Sequence, residues 1–170
     1  AGTGSEVQSY ALIADADTHQ KMACGDSKAL PRLALLDPEL TVTQPAHVTA
    51  CAGIDAVAHA VETAVTTKRS EASFHLSRQA FDKPAGSLRR VMSTPYDLEA
   101  RGAMLHGAMQ AGQAIELSML GAAHSAANPL TAQFDIVHGQ AVGIMLPHVV
   151  RFNAQTPATA AIYQQLAGCD

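Results

Sequence analysis

Asp55 and His59 stand four residues apart in the otherwise apolar run GIDAVAHAVE, residues 53–62. On a helix that spacing places their Cβ atoms about 5–6 Å apart on one face. A carboxylate and an imidazole so placed can grip one cation, or they can pair with each other, and the pair alone leaves both readings open. A metal would need more ligands, and GAAHSAANPLTAQFDIVHGQAVG offers them in His124 and His138. Asn128, Pro129 and the Gly139 region imply that one helix ends and another begins between the two. A histidine at a helix end and a histidine at the next helix start can converge across the loop. Asp55, His59, His124 and His138 would then supply one carboxylate oxygen and three imidazole nitrogens. That set suits a borderline divalent metal such as Fe²⁺ or Zn²⁺, with room left for a substrate oxygen.

The elements that must position these residues change in texture near Pro45. Before it, EVQSYALIAD and HQKMAC read as short β-type runs separated by the turn-rich DADT. LALLDPEL, a continuous apolar run stopped at Asp37-Pro38, reads as a buried strand. After Pro45 apolar residues recur at three- and four-residue spacing, the helical period. TPYDLEARGAMLHGAMQAGQAIELSML opens with Thr94 as the expected N-cap, Pro95 at N1 and Asp97 at N3. Ala103, Gly107, Ala108, Ala111, Gly112 and Ala114 crowd that helix with small side chains, which suits the centre of a bundle. Pro84 is expected to break or kink the helix before it, because it lacks a donor and clashes with the preceding turn. No spacer separates strands from helices, so the two parts should pack directly.

Composition narrows the function classes. The chain has 170 residues, 48% of them hydrophobic and 15% charged, with a net charge of -4. That balance argues against nucleic acid or an anionic membrane as partner. No apolar stretch is read as approaching the roughly 20 residues a membrane helix needs. The first residues, AGTGSEVQ, have neither a basic nor an apolar leader segment. Cys24, Cys51 and Cys169 are widely spaced without a CxxC, which fits reduced thiols in a cytoplasmic protein.

GTGSE, then DPELT, GIDAVAHAVE, GAAHSAANPLTAQFDIVHG and LPHVVRFN, in that order and spacing, resemble the iron-containing (group III) alcohol dehydrogenases. The GIDAxxHAxE segment and the His–His spacing are the specific parts of the likeness. The resemblance places Asp55, His59, His124 and His138 on the family's four metal ligands. It implies a mainly α fold of dehydroquinate synthase-like architecture, with a helical metal-binding domain after the last strands of an α/β nucleotide-binding domain. On that reading residues 1–44 are those strands and residues 45–170 are the catalytic helical domain, truncated at its C-terminus. Members of the family run to about twice this length, and the glycine-rich loop that cradles a dinucleotide pyrophosphate is missing here. The chain therefore reads as a central fragment, expected to be inactive by itself and to form a homo-oligomer when full length.

The implied activity is hydride transfer between a small alcohol and NAD or NADP. The metal would act as a Lewis acid on the alcohol oxygen, and the reverse reaction would reduce an aldehyde or ketone. Thr3, Gly4 and Ser5 fall where the family's cofactor loop lies, and Lys21 aligns with a basic residue that reaches the cofactor's ribose side. Met119, Leu120, Phe134 and Ile136 are expected to form an apolar wall favouring aliphatic substrates. Many relatives carry a second histidine four residues after the third ligand, where this sequence has Asn128. An amide cannot take a proton near neutral pH, so a relay would have to run elsewhere. Asp135 is expected to cap the next helix, His106 and His148 to be structural, and His19, His47 and His75 to lie on the surface. Glycerol dehydrogenases and maleylacetate reductases are the alternatives within the superfold. A non-catalytic helical metal-binding module is the alternative outside it.

Overall fold

The computed structural model describes residues 3–18 and 21–168. The protein is mainly α. A 3-10 turn at Ser5–Val7 leads into a hairpin of β1 (Tyr10–Ala14) and β2 (Lys21–Gly25), and two further 3-10 turns follow at Ser27–Ala29 and Glu39–Thr41. Six helices follow among the described residues: α1 (Ala46–Val65), α2 (Glu71–Ser93), α3 (Leu98–Ser118), α4 (Ala122–Phe134), α5 (His138–Asn153) and α6 (Pro157–Leu166). The hairpin is antiparallel, with Tyr10 opposite Gly25 and Leu12 opposite Ala23.

Helix α1 is the axis of the bundle, in contact with all five other helices. Ala56, Ala58, Ala60 and Ala64 are fully buried, so neighbouring helices close in on several sides of it. That explains an apolar composition without a strong amphipathic stripe. By length and composition α1 could cross a membrane, which corrects the expectation that no stretch approaches that length. Here most of its apolar window is buried inside the bundle instead. Helix α3 lies against α1 and α2 through Ala100, Ala108, Ala111 and Ala114, all buried, as its small residues led one to expect. Between α1 and α2 the Thr63 and Ser77 hydroxyls meet at 2.7 Å, satisfying two buried polar groups that would otherwise be costly.

Three local expectations are corrected. Leu33, Leu35 and Leu40 are exposed and no described strand covers LALLDPEL. Pro31 and Pro38 remove ladder donors, and Asp37 turns the chain by accepting the Glu39 N–H at 2.9 Å. Pro84 lies inside an unbroken α2. Its ring packs on Gly107 of α3, where a Cβ would stand 2.4 Å from Pro84 Cδ, so a side chain missing from α3 makes room for the proline. The N-cap of α3 is Asp97, not Thr94, its carboxylate accepting the Ala100 N–H at 3.0 Å. Thr94 instead caps the end of α2.

Two contacts fix the N-terminal segment on α3. Gly4 has φ 66°, a left-handed conformation that favours glycine. A Cβ on Gly112 would lie 2.4 Å from the Gly4 carbonyl oxygen, so the two backbones touch where neither residue has a side chain. Beyond this crossing the Ser9 N–H and hydroxyl donate to the Glu116 carboxylate at 2.9 and 2.6 Å. The hairpin is thereby carried beside the bundle at the level of Asp55.

Candidate metal centre

Asp55, His59 and Glu62 lie on one stripe of α1 and are 3%, 5% and 2% exposed. Helices α4 and α5 each bring one imidazole to that stripe: His124 in the first turn of α4 and His138 as the first residue of α5. His124 therefore sits at a helix start, not at the helix end expected from sequence, and Pro129 lies within α4. Glycine sets the approach on both sides. Gly121 leaves space for the Glu62 carboxylate, and Gly139 lets the start of α5 touch the α1 backbone at Cys51.

The imidazoles meet at one oxygen. Asp55 Oδ1 lies 3.1 Å from His124 Nε2, 3.5 Å from His59 Nε2 and 3.6 Å from His138 Nε2. Ligand atoms held tetrahedrally at about 2.1 Å from one metal would be about 3.4 Å apart, so these spacings fit a single cation. Asp55, His124 and His138 form the tightest group, their ligand atoms all within 4.8 Å of one another. His59 falls outside that group, yet it faces the same oxygen and stacks on His124 with ring centroids 4.7 Å apart. Three of the four expected ligands are thus within mutual reach, and the fourth adjoins them. His59 Nδ1 has no hydrogen-bond partner among the described residues, whereas the Nε2 edges turn to the carboxylate. The donor set, one oxygen and three nitrogens turned toward one another, fits a borderline divalent ion.

The charges are strongly coupled. Burial alone would raise the Asp55 pKa, but the His124 hydrogen bond and the adjoining His59, His124 and His138 hold it below the usual carboxylate range. Burial lowers the His59 pKa to about 4, despite the opposing pull of Asp55. Burial also works to lower that of His124, but hydrogen bonds to Asp55 and Glu62 outweigh it and raise the value to about 9. The metal-free site is therefore poised to hold a proton on His124 where a cation would otherwise stand.

A cavity of about 650 Å³ opens over the cluster. Thr3, Ser5, Tyr10, Leu12, Cys24, Ile115 and Leu120 line it together with Asp55, His59, His124 and His138. The expected cofactor-loop hydroxyls thus front the same space as the expected ligands. Gly4 is buried against α3. Lys21 opens β2, and its side chain lies outside the described residues, as do His19 and Cys169. Of the apolar wall expected from sequence only Leu120 borders the cavity. Phe134 and Met119 are exposed and Ile136 packs into the core. Asn128 is half-buried one turn after His124 and does not border the cavity.

Asp135 takes the left-handed conformation at the end of α4, φ 54°, and gives α5 no side-chain cap; the N-cap there is Val137. His106 and His148 are exposed, which corrects the expectation that they are structural, and His47 and His75 are exposed as expected. Cys24 and Cys51 are free thiols. Sequence reasoning passed over Glu62, although its place three residues after His59 on the same stripe was legible.

Residues 49–169 match the C-terminal part of the Fe-containing alcohol dehydrogenase family. The chain is 37% identical over 166 residues to the 1-propanol dehydrogenase of Citrobacter freundii, covering 98% of this chain and 45% of that protein. The crystal structure of a 1,3-propanediol oxidoreductase superposes with a TM-score of 0.91 at 32% identity, covering 98% of this chain and 44% of the other. The NAD⁺ complex of sulfoacetaldehyde reductase from Bifidobacterium kashiwanohense gives a TM-score of 0.84 at 28% identity, covering 89% and 40%. The chain spans less than half the length of each.

Proposed function

Because the chain belongs to the iron-containing alcohol dehydrogenase family, we propose that it is the metal-bearing part of an enzyme that moves hydride between a small alcohol and a nicotinamide cofactor. The observation that carries this reading is the approach of three imidazole Nε2 atoms to the single oxygen Asp55 Oδ1. Asp55, His59, His124 and His138 would hold the metal through those atoms. When bound, the ion supplies Lewis-acid polarisation of an alcohol oxygen and the nicotinamide supplies the hydride acceptor. Family membership favours iron over zinc, and the NAD⁺ bound by the sulfoacetaldehyde reductase favours NAD over NADP.

The chain's own residues do the positioning. Burial of Asp55 and His59 keeps bulk water away from the ligand edges, which strengthens every electrostatic contact there. Thr3 and Ser5 offer hydroxyls to a cofactor entering the cavity, with Gly4 fixing their loop on α3, and Lys21 is a further cofactor contact by the family resemblance. Leu12, Ile115 and Leu120 border the same cavity and favour a short aliphatic chain. Asn128 can orient a neighbouring group but cannot accept a proton. Residues 1–44 read as the closing strands of an α/β nucleotide-binding domain and residues 45–170 as the catalytic helical domain of a cytoplasmic homo-oligomer.

Cobalt substitution tests the reading, because Co²⁺ accepts zinc and iron sites and reports its ligands by visible absorption. The Co²⁺-loaded chain should show intense d–d bands that shift on adding short alcohols and are absent in Asp55→Ala. Joined to a dinucleotide-binding domain, it should reduce NAD with the same alcohols, and the same substitution should abolish turnover. Failure to bind Co²⁺, or bands blind to alcohols, would refute the reading.

A further inference from the structure

Glu62 reaches from α1 to the start of α4 and meets three donors there. Its Oε1 accepts the Ala123 N–H at 2.6 Å, and its Oε2 accepts the His124 N–H at 3.3 Å. Oε2 also contacts His124 Nδ1 directly. Helix α4 has no side-chain cap of its own, since Gly121 occupies the N-cap position. A Cβ at Gly121 would stand 2.7 Å from Glu62 Oε1, so the absence of a side chain there is what admits the carboxylate. Backbone N–H groups can only donate, and an ionised carboxylate can only accept. With both oxygens already facing backbone donors, the group that Glu62 presents to His124 Nδ1 is an acceptor. A proton on Nδ1 is thereby held in place, so the proton that a metal would displace is the one on Nε2, which donates to Asp55 Oδ1 3.1 Å away.

We infer that Glu62 is a positioning residue for the metal centre, capping α4 and fixing His124 as the Nδ1–H tautomer so that its Nε2 is available as a ligand. The inference rests on the reading of Asp55, His59, His124 and His138 as a metal site. Two duties meet in one side chain. The cap sets where α4 begins and hence where His124 stands, and the Nδ1 bond sets which nitrogen it offers. Carboxylates behind metal-bound histidines typically change affinity by about 10–100-fold when removed.

Glu62→Gln separates these duties, because glutamine keeps the shape but offers one acceptor oxygen and one amide donor. If the oxygen stays on the Ala123 N–H, the amide faces Nδ1 and favours the opposite tautomer, with the proton on Nε2. Zn²⁺ affinity, measured by competition with a chromophoric chelator at pH 7.5, should fall about 10–100-fold while circular dichroism reports an unchanged helix content. Long-range ¹H–¹⁵N spectra of the zinc-loaded wild type need no variant and should show His124 protonated at Nδ1. Wild-type binding with equal affinity in folded Glu62→Gln, or His124 protonated at Nε2 in the zinc-loaded protein, would overturn the inference. Absence of Zn²⁺ binding in the wild type would instead refute the metal site on which it rests.

Discussion

Gly139 sits so close to Cys51 that a Cβ on it would lie 2.2 Å from the Cys51 carbonyl oxygen and 2.6 Å from the carbonyl carbon. Both are backbone atoms of α1, so no side-chain rotation can make room. The contact is what allows His138, one residue earlier, to reach the Asp55 carboxylate. Gly139→Ala should destabilise the fold by about 1–3 kcal/mol, the usual cost of overpacking, and weaken Zn²⁺ binding at least about tenfold by pushing α5 outward. Chemical denaturation and chelator competition measure the two effects. Lost stability with unchanged affinity would show that His138 follows Asp55 independently of the α5 start.

Glu116 ties the hairpin to α3 through both the N–H and the hydroxyl of Ser9. Glu116→Ala leaves those donors without their acceptor, which should cost about 1–3 kcal/mol. The loss should be local, with faster amide exchange in β1 and β2 and little change in α1 or α5. Because the clamp lies outside the ligand set, Zn²⁺ affinity should stay within about twofold. Faster exchange across α1 would mean that the hairpin supports the bundle more deeply than this clamp suggests.

Acid and base each weaken the metal-free site, through different histidines. The His124 pKa is raised from 6.5 to about 9, so the stability it contributes is complete below about 6.5 and is lost as pH rises through about 9. The His59 pKa is lowered to about 4, so the unfolded chain gains a proton there first, and stability is lost as pH falls from about 6.5 toward 4. A metal at Nε2 must displace the His124 proton. Calorimetry in buffers of different ionisation enthalpy should therefore find close to one proton released from this group on Zn²⁺ binding near pH 7.5. Affinity should rise with pH and level off above about 9. An affinity independent of pH between 7 and 9 would show that no proton leaves His124 on binding.

What the sequence disclosed depended on how local each signal was. The Asp55–His59 stripe is a helical spacing within one element, so it could be read directly. The place of His124 and His138 beside it came through family resemblance, since spacing along a chain does not by itself bring α4 and α5 to α1. Glu62 was equally local, but its partners Ala123 and His124 lie 61 and 62 residues away. LALLDPEL has strand-like composition without a partner strand among the described residues, so Leu33, Leu35 and Leu40 remain exposed. Pro84 fits inside α2 only because Gly107 faces it from α3, a compensation that α2 by itself does not disclose. Thr94 and Asp97 are both good caps, and the choice between them depends on where α2 stops.

The central claim is that α1, α4 and α5 deliver four ligands to one ion. X-ray absorption at the zinc K-edge of the stoichiometrically loaded chain tests it most directly, because the spectrum reports ligand type, number and distance together. The account predicts a shell of nitrogen and oxygen at about 2.0–2.2 Å, with the outer-shell signature of three imidazoles, reduced to two in His138→Ala. A shell containing sulfur at about 2.3 Å, as Cys24 on the cavity wall would give, or one with fewer than two imidazoles, would contradict it.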